Sequence, residues 1–136
     1  MNIDQALDFV TTNHRGILLT HRSDGGPQMS PIVAGVDSDG CIVVSSRETA
    51  YKVKNLLRDP RASLCMFTDG FYGGWVQFDG VAEIISLPEA MDGLIDYYRQ
   101  LSGEHPDWDE YRAAMREERR VLIRISPERA GPTRFG

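Results

Sequence analysis

The sequence has little that would mark a metal enzyme, a membrane protein or a disulfide-built secreted one. It has only two cysteines, Cys41 and Cys65, far apart and each inside an apolar run. They read as packed core thiols rather than a bridge, metal ligands or nucleophiles. The three histidines, His14, His21 and His105, are isolated from one another. There is no H-E-x-x-H, no C-x-x-C and no carboxylate-rich calcium loop, so no metal site is expected. G-x-S-x-G, P-loop and G-x-G-x-x-G patterns are also missing, and nothing marks a Ser-His-Asp triad. No apolar run is long enough to span a membrane. The N-terminus, Met1-Asn2-Ile3-Asp4, lacks a basic stretch followed by an apolar one. No signal peptide is therefore expected, and the expected setting is a reducing cytoplasm. Positive charge is in deficit: the formal net charge is -5, which disfavours a general role in coating nucleic acid. Any anionic ligand must be met by a local cluster of Lys and Arg.

What remains is one ordinary globular domain over residues 1–136, with 41% hydrophobic and 26% charged residues. Ile3, Ala6, Leu7 and Val10 have the spacing of a short amphipathic helix, and Asn2 with Gln5 resembles its capping box. Strands are expected at 16–21, 28–36, 41–45, 62–68, 75–85 and 120–125. Ser23-Asp24-Gly25-Gly26 and Asp37-Ser38-Asp39-Gly40 are turn signals between them. Pro31 places its strand at an edge or a bulge. A helix is expected from 49 to 59, with Ala50, Val53 and Leu57 turned to the core and Lys52 and Asn55 on the far side. Pro88 opens another helix that ends before Gly103, and a last one starts near Asp107. The tail from Pro127 shows no periodic pattern. Six strands with few helices do not make a doubly wound parallel sheet. The expected class is mainly β (α+β), a six-stranded antiparallel split β-barrel with peripheral helices.

Three stretches are candidates for binding. At Val44-Ser45-Ser46-Arg47 a strand ends in two hydroxyls and leads into the helix carrying Lys52 and Asn55. Free N–H groups at a helix start favour anions, and a phosphate near Ser45, Ser46 and Lys52 gains charge-assisted hydrogen bonds. The same pattern also describes a solvated helix with basic residues. In Gln28-Met29-Ser30-Pro31, alternation puts Gln28 and Ser30 on one face, suited to the polar edge of a planar heterocycle or simply to an exposed edge strand. Trp75, with Phe71 and Tyr72, surrounds a glycine loop; these rings suit either the wall of a planar ligand or a packing surface. No catalytic residue stands out, so any chemistry is expected to be lent by a cofactor.

Nearly the full length of the chain resembles the pyridoxamine phosphate oxidase-like split-barrel flavoproteins, particularly their deazaflavin-dependent branch. The resemblance rests on Gly16-Ile17-Leu18-Leu19-Thr20, Gly26-Pro27-Gln28-Met29-Ser30, and Asn55-Leu56 with Arg58-Asp59-Pro60-Arg61-Ala62-Ser63. It includes the run from Gly103 to Met115. It implies a homodimer with two cofactor sites along the subunit interface and a small-molecule substrate. Gln28 and Ser30 would lie near the ring system, and Ser45, Lys52 and Asn55 near the phosphate. The implied cofactor is coenzyme F-420, with FMN as the alternative, and the implied activity is hydride transfer to an unsaturated substrate. A non-catalytic cofactor carrier of the same fold is the other reading. Many relatives have Arg two places before the helix lysine. Ala50 stands there, leaving Arg47, Lys54 or Arg61 to substitute.

Overall fold

The computed structural model describes residues 1–132. Helix α1 (Ile3–Val10) is followed by strands β1 (Arg15–His21), β2 (Pro27–Val33), β3 (Gly35–Val36) and β4 (Ile42–Arg47). Helix α2 (Tyr51–Arg58) leads to β5 (Arg61–Phe67) and β6 (Trp75–Ile85). Helices α3 (Met91–Ser102) and α4 (Trp108–Glu117) precede β7 (Arg120–Gly131). All strands belong to one antiparallel sheet in the order β2-β1-β5-β6-β7-β4-β3. The sheet curls until β2 approaches β4, forming the expected split barrel.

Local sequence explains most boundaries. Asn2 and Gln5 close the capping box of α1 with hydrogen bonds of 2.8 and 3.0 Å. The β1–β2 turn has Gly25 at φ +85°, and Asp24 accepts from the Gly26 N–H at 2.8 Å. Asp107 caps α4 by accepting from the N–H groups of Asp109 and Glu110.

Alternation along the strands divides the apolar residues between two cores. Leu18, Leu64, Met66, Phe78, Ile123 and Ile125 fill the barrel, closed by Ala6 and Val10 of α1 and by Val53 and Leu56 of α2. On the other face of β4 and β7, Val43 and Leu122 pack under Leu94, Ile95, Tyr111 and Met115 of α3 and α4. Burying each of the larger side chains contributes about 1.5–3 kcal/mol.

Four expectations are corrected. Among the described residues the sheet has seven strands, because the stretch from 28 to 36 breaks at Ala34, whose N–H turns to the His14 carbonyl at 2.7 Å. The last strand runs to Gly131 rather than 125, because a register shift opposite Asp79 and Gly80 accommodates Pro127, which has no N–H to give. In α2 the core stripe is Val53 and Leu56; Leu57 is exposed and Asn55 is buried. Eight residues are too few for periodicity alone to fix a helix's rotation. Cys41 is buried as expected, but Cys65 is only half-buried, on the outer face of β5. Pro31 does lie on an edge strand, since β2 ends the sheet.

Candidate functional site

The two ends of the curled sheet meet at a seam, and α3 stitches it. The Tyr97 hydroxyl donates to the Val33 carbonyl at 2.7 Å. One turn later, Gln100 pairs with both backbone groups of Val36, accepting from its N–H at 2.7 Å and donating to its carbonyl at 2.6 Å. Beside this seam lies a cavity of about 470 Å³. Pro31, Ile32 and Val33 wall one side, Val44 and Ser45 the other, with Phe67, Tyr97 and Lys52 completing it.

Lys52 is the charged focus of this cavity. Among the described residues no carboxylate lies within salt-bridge distance of it. Burial, and then the nearby Arg120 guanidinium, push its pKa below the usual lysine value. A partly desolvated cation with no counter-charge is the electrostatic mark of an anion site. Helix α2 supports this, since no side chain caps its N-terminus at Ala50. Tyr97 is also perturbed: burial raises its pKa, although the Ser45 N–H and Arg120 oppose the shift.

The sequence-derived candidates fall into three places. Ser45 and Lys52 line the cavity together. Ser46, its neighbour on β4, points the opposite way into the barrel, where it is buried and donates to the Arg47 carbonyl at 3.2 Å. Gln28, Ser30 and Asn55 belong to the inner side of the β1–β2–α2 corner. There Asn55 donates to the Thr20 hydroxyl at 3.1 Å, and Thr20 donates to Gln28 at 3.2 Å. Arg58 joins this chain, donating to Asn55 at 3.0 Å and to the His21 carbonyl at 2.8 Å. Ser30 has a buried hydroxyl oxygen with no partner among the described residues. Trp75 is half-buried opposite Phe67 on the adjacent strand, one strand removed from the cavity wall.

The residues named as substitutes for an arginine at position 50 are otherwise engaged. Arg61 holds Asp59 through two hydrogen bonds of 3.0 and 2.7 Å, which bring that carboxyl's pKa down to about 2. Arg47 pairs with Glu118, and Lys54 lies 5.8 Å from the Tyr51 ring centroid. Sequence reasoning missed Tyr97, Arg15 and Arg120. Tyr97 sits beside the apolar stripe of α3, and no motif distinguishes it from a packing residue.

A second concavity, of about 430 Å³, lies between α3 and the β3–β4–β7 face. Its one guanidinium, on Arg124, is held by Asp37, Asp39 and Glu83 at 2.7, 2.9 and 3.1 Å. That network clamps β7 to the β3–β4 turn, and we read it as structural.

The family model described as pyridoxamine 5'-phosphate oxidase matches residues 3–134. The chain belongs to that family. Among solved structures, the conserved hypothetical protein Rv2991 from Mycobacterium tuberculosis is 30% identical over 96% of this chain and 82% of its own, with a TM-score of 0.78. The heme storage protein HutZ from Vibrio cholerae is 18% identical over 96% and 94% of the two chains, with a TM-score of 0.73. An F-420 reductase is 18% identical over 91% and 94%, with a TM-score of 0.69. The last two likenesses show the fold alone. Oxidoreductases and a heme-storage protein therefore share this architecture. No described helix is long and apolar enough to cross a membrane.

Proposed function

We propose that this protein is a homodimeric split-barrel oxidoreductase that holds coenzyme F-420 and reduces an unsaturated small molecule. The observation that carries this reading is the half-buried Lys52 ammonium, without a carboxylate, in a cavity it shares with Ser45. The cofactor's phosphate belongs there, beside the uncapped start of α2, where the ammonium and the helix dipole act on the same charge. Of β2, the segment Pro31–Val33 just beyond Gln28 and Ser30 walls this cavity, while the Gln28 and Ser30 side chains stay on the inner side of the β1–β2–α2 corner. Trp75 lies beside Phe67 on the adjacent strand, one strand further from the cavity.

When bound, the deazaflavin supplies hydride chemistry. The residues of this chain bind it, orient it and exclude water. Lys52 and Ser45 would anchor one end, while Pro31, Val33 and Phe67 would provide an apolar wall. No side chain is assigned as proton donor. Tyr97 donates to Val33, and burial favours its neutral form.

An exposed apolar face beside the cavity supports the dimer reading. Met29 and Val33 are 63% and 45% exposed, on the same outer face as Ile17, Leu19 and Pro31. Several of these residues also line the cavity. A second copy seated on this face would cover the apolar surface and wall the site at once.

Equilibrium titration of the purified protein with F-420 and with FMN tests the cofactor, and sedimentation tests the dimer. Preferential F-420 binding and a dimer are expected. Tight FMN binding with no F-420 binding would transfer the site to FMN, and a stable monomer would remove the interface. A cofactor carrier is the second reading, favoured because, among the described residues, no carboxylate or histidine lines the cavity beside Lys52. Binding without turnover of quinones, enones and tetrapyrroles would establish it.

A further inference from the structure

The α4–β7 turn carries an arginine cluster outside the lining of the Lys52 cavity. Arg47 and Arg120 are directly opposite each other on β4 and β7. Like charges in that position repel, and here they are held by one carboxylate, Glu118, at 3.3 and 3.0 Å. Arg119 adopts a left-handed backbone, φ 54°, and its guanidinium pairs with Glu48. Non-glycine residues seldom take that conformation, and those that do merit a functional question. Its carbonyl accepts from the Glu48 N–H at 3.0 Å, tying this turn to the loop that enters α2. The Nε of Arg120 is buried with no partner among the described residues. Arg116, Arg119 and Arg120, with Glu48, line a concavity of about 250 Å³. Among the described residues, Arg116, like Lys52, has no carboxylate within salt-bridge distance.

This concavity shares no lining residue with the Lys52 cavity but neighbours it along β4 and β7. Ser45 pairs with Leu122, and Arg47 with Arg120, two positions further along the same face. Two residues of strand span about 7 Å. Arg120 is also close enough to Lys52 for its charge to disfavour the ammonium. A protein of net charge -5 thus gathers cations in two adjoining steps, one with serine and lysine and one with arginines.

We propose that the arginine-lined concavity at the α4–β7 turn is a second anion subsite. It takes a further phosphate or carboxylate of the ligand whose first anionic group sits at Ser45 and Lys52. This rests on the reading of Ser45 and Lys52 given above. It extends that reading by requiring a ligand with at least two anionic groups, one for each subsite, which a single phosphate ester does not provide. Glu48 is the internal competitor, holding Arg119 until an anion displaces it.

Inorganic phosphate and tripolyphosphate, titrated calorimetrically into the full-length protein at fixed ionic strength, separate the two subsites. Tripolyphosphate is expected to bind at least tenfold tighter than phosphate. Arg116→Gln combined with Arg119→Asn, which tolerates the left-handed turn, should cost tripolyphosphate at least fivefold while leaving phosphate within twofold. Glu48→Gln should strengthen tripolyphosphate. Arg112→Gln combined with Arg129→Gln, a control that removes two charges outside the concavity, should change neither. Equal losses in the control and the double variant would reduce the effect to general electrostatics and overturn the subsite, as would an unaffected double variant. Lys52→Gln reports separately: if it leaves phosphate binding unchanged, the Lys52 site fails and the arginine concavity is not its extension. Arg116→Gln alone, on an exposed helix face, keeps the test valid if the double variant folds poorly.

Discussion

The Tyr97 hydroxyl and the Val33 carbonyl, 2.7 Å apart, join a helix of the outer layer to the last residue of edge strand β2. The curled sheet leaves β2 and β4 unpaired with each other, so this bond and the Gln100–Val36 pair hold the seam. Tyr97→Phe keeps the ring and removes only the hydroxyl. It should lower unfolding free energy by about 0.5–1.5 kcal/mol, the ordinary net worth of a hydrogen bond. The denaturant midpoint should fall with an unchanged slope. No change in the midpoint would mean that the seam does not depend on the Tyr97 hydroxyl.

Lys52→Met separates binding from folding. Its ammonium is partly desolvated and has no carboxylate to strand, so the substitution should leave stability unchanged or slightly higher. Affinity for a phosphate-bearing cofactor should fall by about 1–3 kcal/mol, roughly fivefold to 150-fold. Paired thermal-denaturation and equilibrium-binding measurements check both signs. A large loss of stability would identify Lys52 as a structural residue.

The fold was largely legible because alternation, turn chemistry and capping agree along most of the chain. Asn2 and Gln5 cap α1, Gly25 turns the first hairpin, and Pro31 lies on an edge. The parts that were not legible depend on contacts distant in sequence. Nothing near Ala34 says that its N–H will prefer His14 to a strand partner. Proline at 127 reads as the end of a strand unless one knows that β6 shifts register opposite it. The same holds for the site. Ser45 and Lys52 could be paired because they flank one strand-to-helix junction. Tyr97 and Arg120 reach that junction from α3 and β7, and no local pattern marks them. The rotation of α2, which buries Asn55 and exposes Leu57, is settled by Thr20 on another strand.

Gly80 tests the register shift in β6. A Cβ there would run into the Ser126 carbonyl oxygen, a backbone atom that cannot rotate away. Gly80→Ala should destabilise by about 1–3 kcal/mol, the range for forced overpacking. Gly70→Ala, in the exposed β5–β6 loop with open space around its Cβ direction, should stay within about 0.5 kcal/mol. Equal effects at the two positions, read by chemical denaturation, would show that β6 and β7 do not approach as closely as described.

Alkaline stability depends on Tyr111. Its hydroxyl donates to the Leu94 carbonyl at 2.8 Å, fastening α4 to α3. Burial first, and then the neighbouring Tyr97, push its pKa from 10.0 up to about 12. Between those values the unfolded chain releases this proton while the folded chain keeps it. The stabilisation is therefore fully present below pH 10.0 and is lost as pH rises through about 12. Tyr97, raised in the same direction, adds a parallel loss. Tyr111→Phe should lower stability at neutral pH, through the lost hydrogen bond, and flatten the decline above pH 10. Denaturant midpoints measured from pH 8 to 11 should then converge for the two proteins at the alkaline end. Parallel curves across that range would mean that Tyr111 ionises in the folded protein as readily as in the unfolded chain, and that its burial does not govern alkaline unfolding.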